Sequence, residues 1–184
     1  KDYFGRTEYK EDKRFGGDAD FDGTWAIWDE PFLQFYATKM NEMTQPFMTA
    51  VFTASSHAPY KVPEKYAAQF PDEGPTVLHH CVKYSDMALR KFFEKARTMP
   101  WYKNTIFVLT ADHTSLSSHA EYGTPVGTFR VPIIFFDPSG QMPAGRKPGI
   151  AKQIDIMPIY IGLFALSSSL HCFWQRPHAG GGYR

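Results

Sequence analysis

The sequence has almost no cysteine, no long apolar run and no excess of charge of either sign. Cys81 and Cys172 are the only cysteines among 184 residues. They are too far apart for a zinc-knuckle spacing and too few for a disulfide framework, so they leave the redox compartment open. No stretch reaches the roughly 18–20 consecutive apolar residues of a membrane helix. The longest candidate, residues 154–166, is too short and contains Asp155 and Pro158. Lys and Arg total 20 against 19 Asp and Glu, a formal net charge of +1. That leaves no field to hold a nucleic acid or an anionic membrane surface. There is no Gly-rich phosphate loop, no Gly-x-Ser-x-Gly elbow and no HExxH, so no nucleophile announces itself. Nor is there an initiator methionine: Lys1-Asp2-Tyr3-Phe4-Gly5 reads like the middle of a longer chain, with any targeting information expected upstream.

What is abundant is aromatic, at 16 Phe, 10 Tyr and 4 Trp, which favours burial and ring-lined clefts. The composition, 43% hydrophobic and 21% charged, is that of an ordinary globular protein, and the length suffices for one domain with a sizeable core. Residues 1–24, polar and rich in Gly and Asp with charges from Glu8 to Arg14, are expected to form a long surface loop. Residues 31–43 space Phe32, Leu33, Phe35, Tyr36, Met40 and Met43 as a helix does, with Asp29 at its cap. Residues 47–54, β-branched and aromatic, are expected to form a buried strand that ends in the loop Ser55-Ser56-His57-Ala58-Pro59-Tyr60. A second amphipathic helix is expected over 76–97 and a turn over 101–104. The apolar run 105–110 reads as a strand covered on both faces. Residues 130–136 read as a strand near an edge or entered at Pro132, and residues 153–164 as a last helix. Strands alternating with helices predict an α/β layered fold with a mainly parallel sheet, whose ligands gather at the carboxyl ends of strands.

Two polar groups fall at such ends. Asp112-His113 follows the apolar strand directly, and carboxylate oxygen with neutral imidazole suits Mn²⁺, Zn²⁺ or Mg²⁺. The plainer reading of the dipeptide alone is a polar strand end, with Asp112 capping the next turn, because short motifs match often by accident. His57 can bind or protonate a phosphoryl or sulfuryl oxygen, or it can be a loop histidine beside a Pro turn. His119 is expected on a surface loop, His79 and His80 on the surface of the second helix, and Asp86 in a structural role. Trp25 and Trp28 either line a cleft or anchor their loop to the core, and the core is the default for tryptophan.

In order along the chain, six segments resemble the sulfatase family of the alkaline phosphatase superfamily, in its lipoteichoic-acid-synthase-like branch. They are Gly23-Thr24-Trp25-Ala26-Ile27-Trp28-Asp29-Glu30-Pro31-Phe32, Ser56-His57-Ala58-Pro59-Tyr60 and Lys83-Tyr84-Ser85-Asp86-Met87-Ala88-Leu89 with Phe92-Phe93. The others are Thr110-Ala111-Asp112-His113-Thr114, Arg130-Val131-Pro132-Ile133-Ile134-Phe135-Phe136 and Gln153-Ile154-Asp155-Ile156-Met157-Pro158. Together they cover roughly residues 20 to 163, in the order and spacing of the family's C-terminal half.

The resemblance implies an alkaline-phosphatase-like α/β/α layered sandwich with a mostly parallel sheet, of which residues 1–164 are the C-terminal portion. It implies that Asp112 and His113 are metal ligands, with Mn²⁺ first and Zn²⁺, Mg²⁺ or Ca²⁺ as alternatives, and that His57 touches the oxygens of the transferred group. The family's remaining acidic ligand and its nucleophile, a Thr or a modified Cys or Ser, match nothing here. No catalytic nucleophile is therefore assigned, and the isolated chain is expected to be inactive. The implied chemistry is covalent: an enzyme-bound phosphate or sulfate ester of a lipid headgroup or glycan forms, then passes to water or an acceptor hydroxyl. Also implied by the resemblance are an extracytoplasmic location, at periplasm or cell surface, and a membrane anchor in the full-length form. The alternatives are a non-catalytic binding domain or enzyme remnant of the same fold, or an unrelated small α/β domain.

After Leu163 the family pattern stops. Relatives tend to end near a Phe-Gly-x-Asp-like segment. Reading Phe173-Trp174-Gln175 one nucleotide later forces Gly at the tryptophan, whose only codon is TGG, and can spell Phe-Gly-Asn-Asp. Residues 165–184 are thus expected to be an atypical, frameshifted and disordered tail.

Overall fold

The computed structural model describes residues 5–146 and 149–163. Its first element, α1 (Arg6–Glu11), lies where the charged opening segment suggested only loop. Tyr9 is the reason. This ring within the run of charges is fully buried with Ile27 and Phe35, among Phe15, Phe21 and Phe32. One buried aromatic on one face is enough to convert a charged run into a surface helix, because packing decides where propensity is weak. The Glu8 carboxylate turns back to accept the Gly5 N–H at 2.7 Å, meeting one of the donors a helix start leaves open.

Two long helices follow, α2 (Asp29–Glu42) and α3 (Leu78–Ala96), as the apolar spacing predicts. Leu33, Ala37 and Met40 of α2 meet Ala88, Phe92 and Ala96 of α3, with Trp101 closing the cluster. Burial of each of the larger side chains is worth roughly 1.5–3 kcal/mol, and the alanines leave room for close approach. A second cluster joins Tyr84 and Met87 of α3 to Phe70, with Trp28, Val62 and Tyr66 against it.

The strands β1 (Phe107–Thr110) and β2 (Ile133–Phe136) pair antiparallel, Phe107 opposite Phe136 and Thr110 opposite Ile133. The α/β class stands, and among the described residues the sheet is this one antiparallel pair. Covering on both faces is not observed: Thr110 and Ile134 are exposed. Pro132 precedes β2 by one residue, so its missing N–H removes no ladder bond.

Residues 47–54 differ from expectation. They form no ladder, and Phe52 in their middle is 73% exposed. A β-branched, aromatic pattern becomes a strand only against a neighbouring edge, since most β propensity is side-chain packing on neighbours. Among the described residues that edge is not supplied.

By contact the chain divides into two units, Lys1–Gln141 and Met142–Arg184. In the second, a 3₁₀ turn over Gln153–Asp155 leads into α4 (Ile156–Leu163), matching the last predicted helix as far as it is described. The expected break after residue 164 and the frameshifted tail lie outside the described residues. No helix among the described residues is long and apolar enough to cross a membrane.

Candidate functional site

The site is built on the start of α2. Asp29, expected as a helix cap, is instead a buried tertiary anchor with 2% of its surface exposed, and Trp28 holds the cap position. One Asp29 oxygen, Oδ1, accepts the N–H of Ala54 at 3.1 Å and of Ser55 at 3.0 Å. The other, Oδ2, accepts the Ser85 hydroxyl at 2.7 Å, and Ser55 Oγ in return accepts the Asp29 N–H at 2.9 Å. A single carboxylate therefore fastens the entrance of the His57 loop to α2 and α3. Asp86, expected to be structural, is exposed, and its neighbour Ser85 makes the bond instead.

Beyond that anchor the chain turns sharply. The His57 N–H reaches Ala54 O and the Tyr60 N–H reaches His57 O, both at 3.0 Å. Tyr60 sits at φ +57°, unusual for an aromatic residue. His57 is exposed, and its Nδ1 lies 3.0 Å from Ala58 O. A carbonyl oxygen only accepts, so Nδ1 carries the proton and Nε2 is left for chemistry. Trp25, expected in the core, is 59% exposed and stands over this loop. Its ring centroid is 4.6 Å from that of His57 at an interplanar angle of 61°. Trp28 takes the inner place, edge-on to Tyr84.

Asp112 and His113 follow β1, each about half exposed. The His113 N–H donates to Asp112 Oδ1 at 2.9 Å, and His113 Nδ1 is 2.6 Å from Thr114 O. The tautomer argument applies again, placing the His113 proton on Nδ1 and the lone pair on Nε2. That atom is 3.4 Å from Asp112 Oδ2. Two donors on one ion stand about 3 to 3.4 Å apart in octahedral or tetrahedral sites. Metal-bound histidines also habitually give their second N–H to a carbonyl. The pair thus fits a divalent cation as two of its ligands. Among the described residues no group of three or more His, Cys, Asp or Glu is arranged to hold a metal.

The two histidine loops are joined. Tyr60 Oη lies 3.0 Å from Ser115 Oγ, fastening the His57 turn to the segment that carries Asp112 and His113. Tyr60 was visible only as the end of a motif, and Ser115 carried no signal. Trp25 was singled out in the sequence, and it stands directly after an Asx-type turn at Asp22-Gly23-Thr24. Asp22 Oδ1 accepts the N–H groups of Thr24, Trp25 and Ala26 at 2.7, 2.7 and 3.1 Å.

His119 is exposed, as expected, edge-on to Tyr122. His80, expected on the helix surface, is buried, with Nδ1 3.2 Å from Asp72 Oδ1 and Nε2 3.5 Å from the Cys81 thiol. This Cys-His-Asp line is no nucleophile. Cys81 is wholly buried, and burial pushes its thiol up to about 11, the opposite of a reactive cysteine.

Residues 2–166 match the model of the family described as Sulfatase. Lipoteichoic acid synthase-like YvgJ of Bacillus subtilis (strain 168) is 28% identical across 79% of this chain and 26% of its own length. Lipoteichoic acid synthase 1 of the same organism is 25% identical across 76% of this chain and 24% of its own length. A crystal structure of a protein in the alkaline phosphatase superfamily from Vibrio parahaemolyticus superposes with a TM-score of 0.65 at 29% identity. It covers 86% of this chain and 37% of that one. The chain spans about a quarter of the length of these curated relatives.

Proposed function

The chain belongs to the Sulfatase family, and from that premise we propose that it is the metal-binding and substrate-binding portion of an enzyme that transfers or hydrolyses a phosphate or sulfate ester. Asp112, through Oδ2, and His113, through Nε2, are two ligands of a divalent cation, Mn²⁺ first and Zn²⁺, Mg²⁺ or Ca²⁺ as alternatives. When bound, such a cation supplies positive charge against the ester oxygens and lowers the pKa of an attacking hydroxyl. His57 directs Nε2 at an oxygen of the transferred group, donating a hydrogen bond to it when protonated. The lipoteichoic-acid-synthase-like relatives favour a phosphoryl group on a lipid headgroup or glycan, passed through a covalent enzyme ester. The nucleophile matches nothing in this chain, so the chain alone is inactive. An extracytoplasmic, membrane-anchored full-length form belongs to the same reading.

The observation that carries this reading is the Tyr60–Ser115 hydrogen bond at 3.0 Å, which ties the His57 turn to the Asp112-His113 segment. Two unrelated polar loops would have no reason to be bonded to each other. The test is a manganese titration of the 184-residue chain followed by electron paramagnetic resonance. Weak, saturable binding is expected, lost in Asp112→Ala and in His113→Ala. Binding indifferent to both substitutions would sink the assignment. Turnover of p-nitrophenyl phosphate against p-nitrophenyl sulfate by the enzyme completed with its remaining portion then separates phosphoryl from sulfuryl transfer.

A further inference from the structure

Trp25 is a large apolar side chain that remains mostly in water, yet it is held at every point. Its own N–H and those of its neighbours Thr24 and Ala26 all donate to Asp22 Oδ1. Its indole Nε1–H donates to Ala58 O at 2.7 Å. Its ring meets His57 edge to face, centroids 4.6 Å apart. An exposed tryptophan contributes little burial, and ordering it costs rotamer entropy. The contacts that restrain it converge on one neighbour: Ala58 O is also the acceptor facing His57 Nδ1 at 3.0 Å. Indole and imidazole therefore share a single carbonyl oxygen while their rings touch.

We infer that Trp25 is a positioning residue for His57. The indole N–H holds the Ala58 carbonyl in the orientation that takes the His57 Nδ1–H, and the indole ring closes the side to which the imidazole would otherwise turn. Together these keep one tautomer and one ring orientation, with Nε2 available to the ester. The catalytic consequence rests on the role proposed for His57, whereas the link between the two rings does not.

The experiment reads the two separately. Long-range ¹H–¹⁵N spectra of the 184-residue chain report which His57 nitrogen carries the proton, and the wild type is expected to show the Nδ1–H form almost alone. In Trp25→Ala the imidazole loses its wall and its carbonyl is released, so a mixture of both tautomers is expected. Trp25→Phe keeps the ring contact but not the N–H that holds the Ala58 carbonyl, so it is expected to restore the single form only in part. Because Trp25 is largely exposed, these variants leave the buried clusters untouched, and a merely structural role would lower the melting temperature without changing the tautomer. A single Nδ1–H tautomer persisting in Trp25→Ala overturns the inference. In the completed enzyme, Trp25→Ala is expected to lower turnover roughly ten- to a hundredfold, the scale of a misplaced catalytic group, with partial rescue by Trp25→Phe. A tautomer mixture with unchanged turnover upholds the positioning of His57 and removes His57 from the chemistry.

Discussion

Replacing Asp29 tests the anchor on which the site is built, and the two obvious substitutions differ for a definite reason. In Asp29→Ala the N–H groups of Ala54 and Ser55 and the hydroxyl of Ser85 all lose their acceptor. Ser55 is buried, so its amide cannot simply return to water. Hydrogen bonds to a charged group contribute about 1.5–3 kcal/mol each, and stranding buried donors adds to the loss. Partial hydration of Ala54 and free rotation of Ser85 reduce the sum, to an expected destabilisation of about 3–5 kcal/mol. In Asp29→Asn one oxygen remains, and it can take the place of Oδ1, which accepts both amides. The new NH₂ then stands where Oδ2 was, opposite a hydroxyl that can rotate and accept. The expected cost is only about 1–2 kcal/mol. Urea unfolding at fixed ionic strength measures both values, and amide hydrogen exchange at Ala54 and Ser55 locates the loss. Equal costs for Ala and Asn, or an Ala cost below about 1 kcal/mol, would refute the reasoning. A double-mutant cycle with Ser85→Ala isolates the Oδ2 contact, for which coupling is expected because the groups touch.

Alkaline pH should destabilise the fold. Burial raises the Cys81 thiol from 9.0 to about 11, and burial also raises the phenols of Tyr84 and of Tyr9, the latter assisted by its hydrogen bond to Asp20. The native state holds protons that the unfolded chain releases, so the Cys81 contribution is complete below pH 9 and is lost as pH rises towards 11, while that of the two phenols begins to be lost only above pH 10. For Cys81 this amounts to roughly 2–3 kcal/mol across that window, and Cys81→Ala should flatten the slope of stability against pH by about one proton. Tyr60→Phe removes the hydroxyl that meets Ser115. It should cost about 1 kcal/mol or less while raising amide exchange in the Asp112–Ser115 segment; unchanged exchange there would deny that the bond joins the loops. Phe52, 73% exposed, should tolerate Phe52→Ser within about 0.5 kcal/mol, and a core-sized loss in calorimetry would place the ring in a packed environment instead.

The two long helices were legible in the sequence because their apolar residues recur at helical spacing, and a stripe of that period can bury itself in only one way. The runs around Phe107 and Ile133 were legible as strands for a similar reason, and the Asp112-His113 pair as a possible ligand set because it ends one of them. The ordered motifs likewise carried the family, which the match over residues 2–166 bears out.

Tertiary structure alone decided the rest, wherever a residue's role depends on what lies opposite it. Tyr9 makes a helix of a charged run because a hydrophobic pocket waits beside it, and residues 47–54 make no ladder because no described edge meets them. Asp29 carries the same carboxylate whether it caps a helix or gathers three donors from two distant segments. Trp25 and His80 exchange the places their residue types suggest, the tryptophan outside and the histidine inside. Periodicity is local and survives in a linear string, whereas the partner of a polar group is a property of the folded chain.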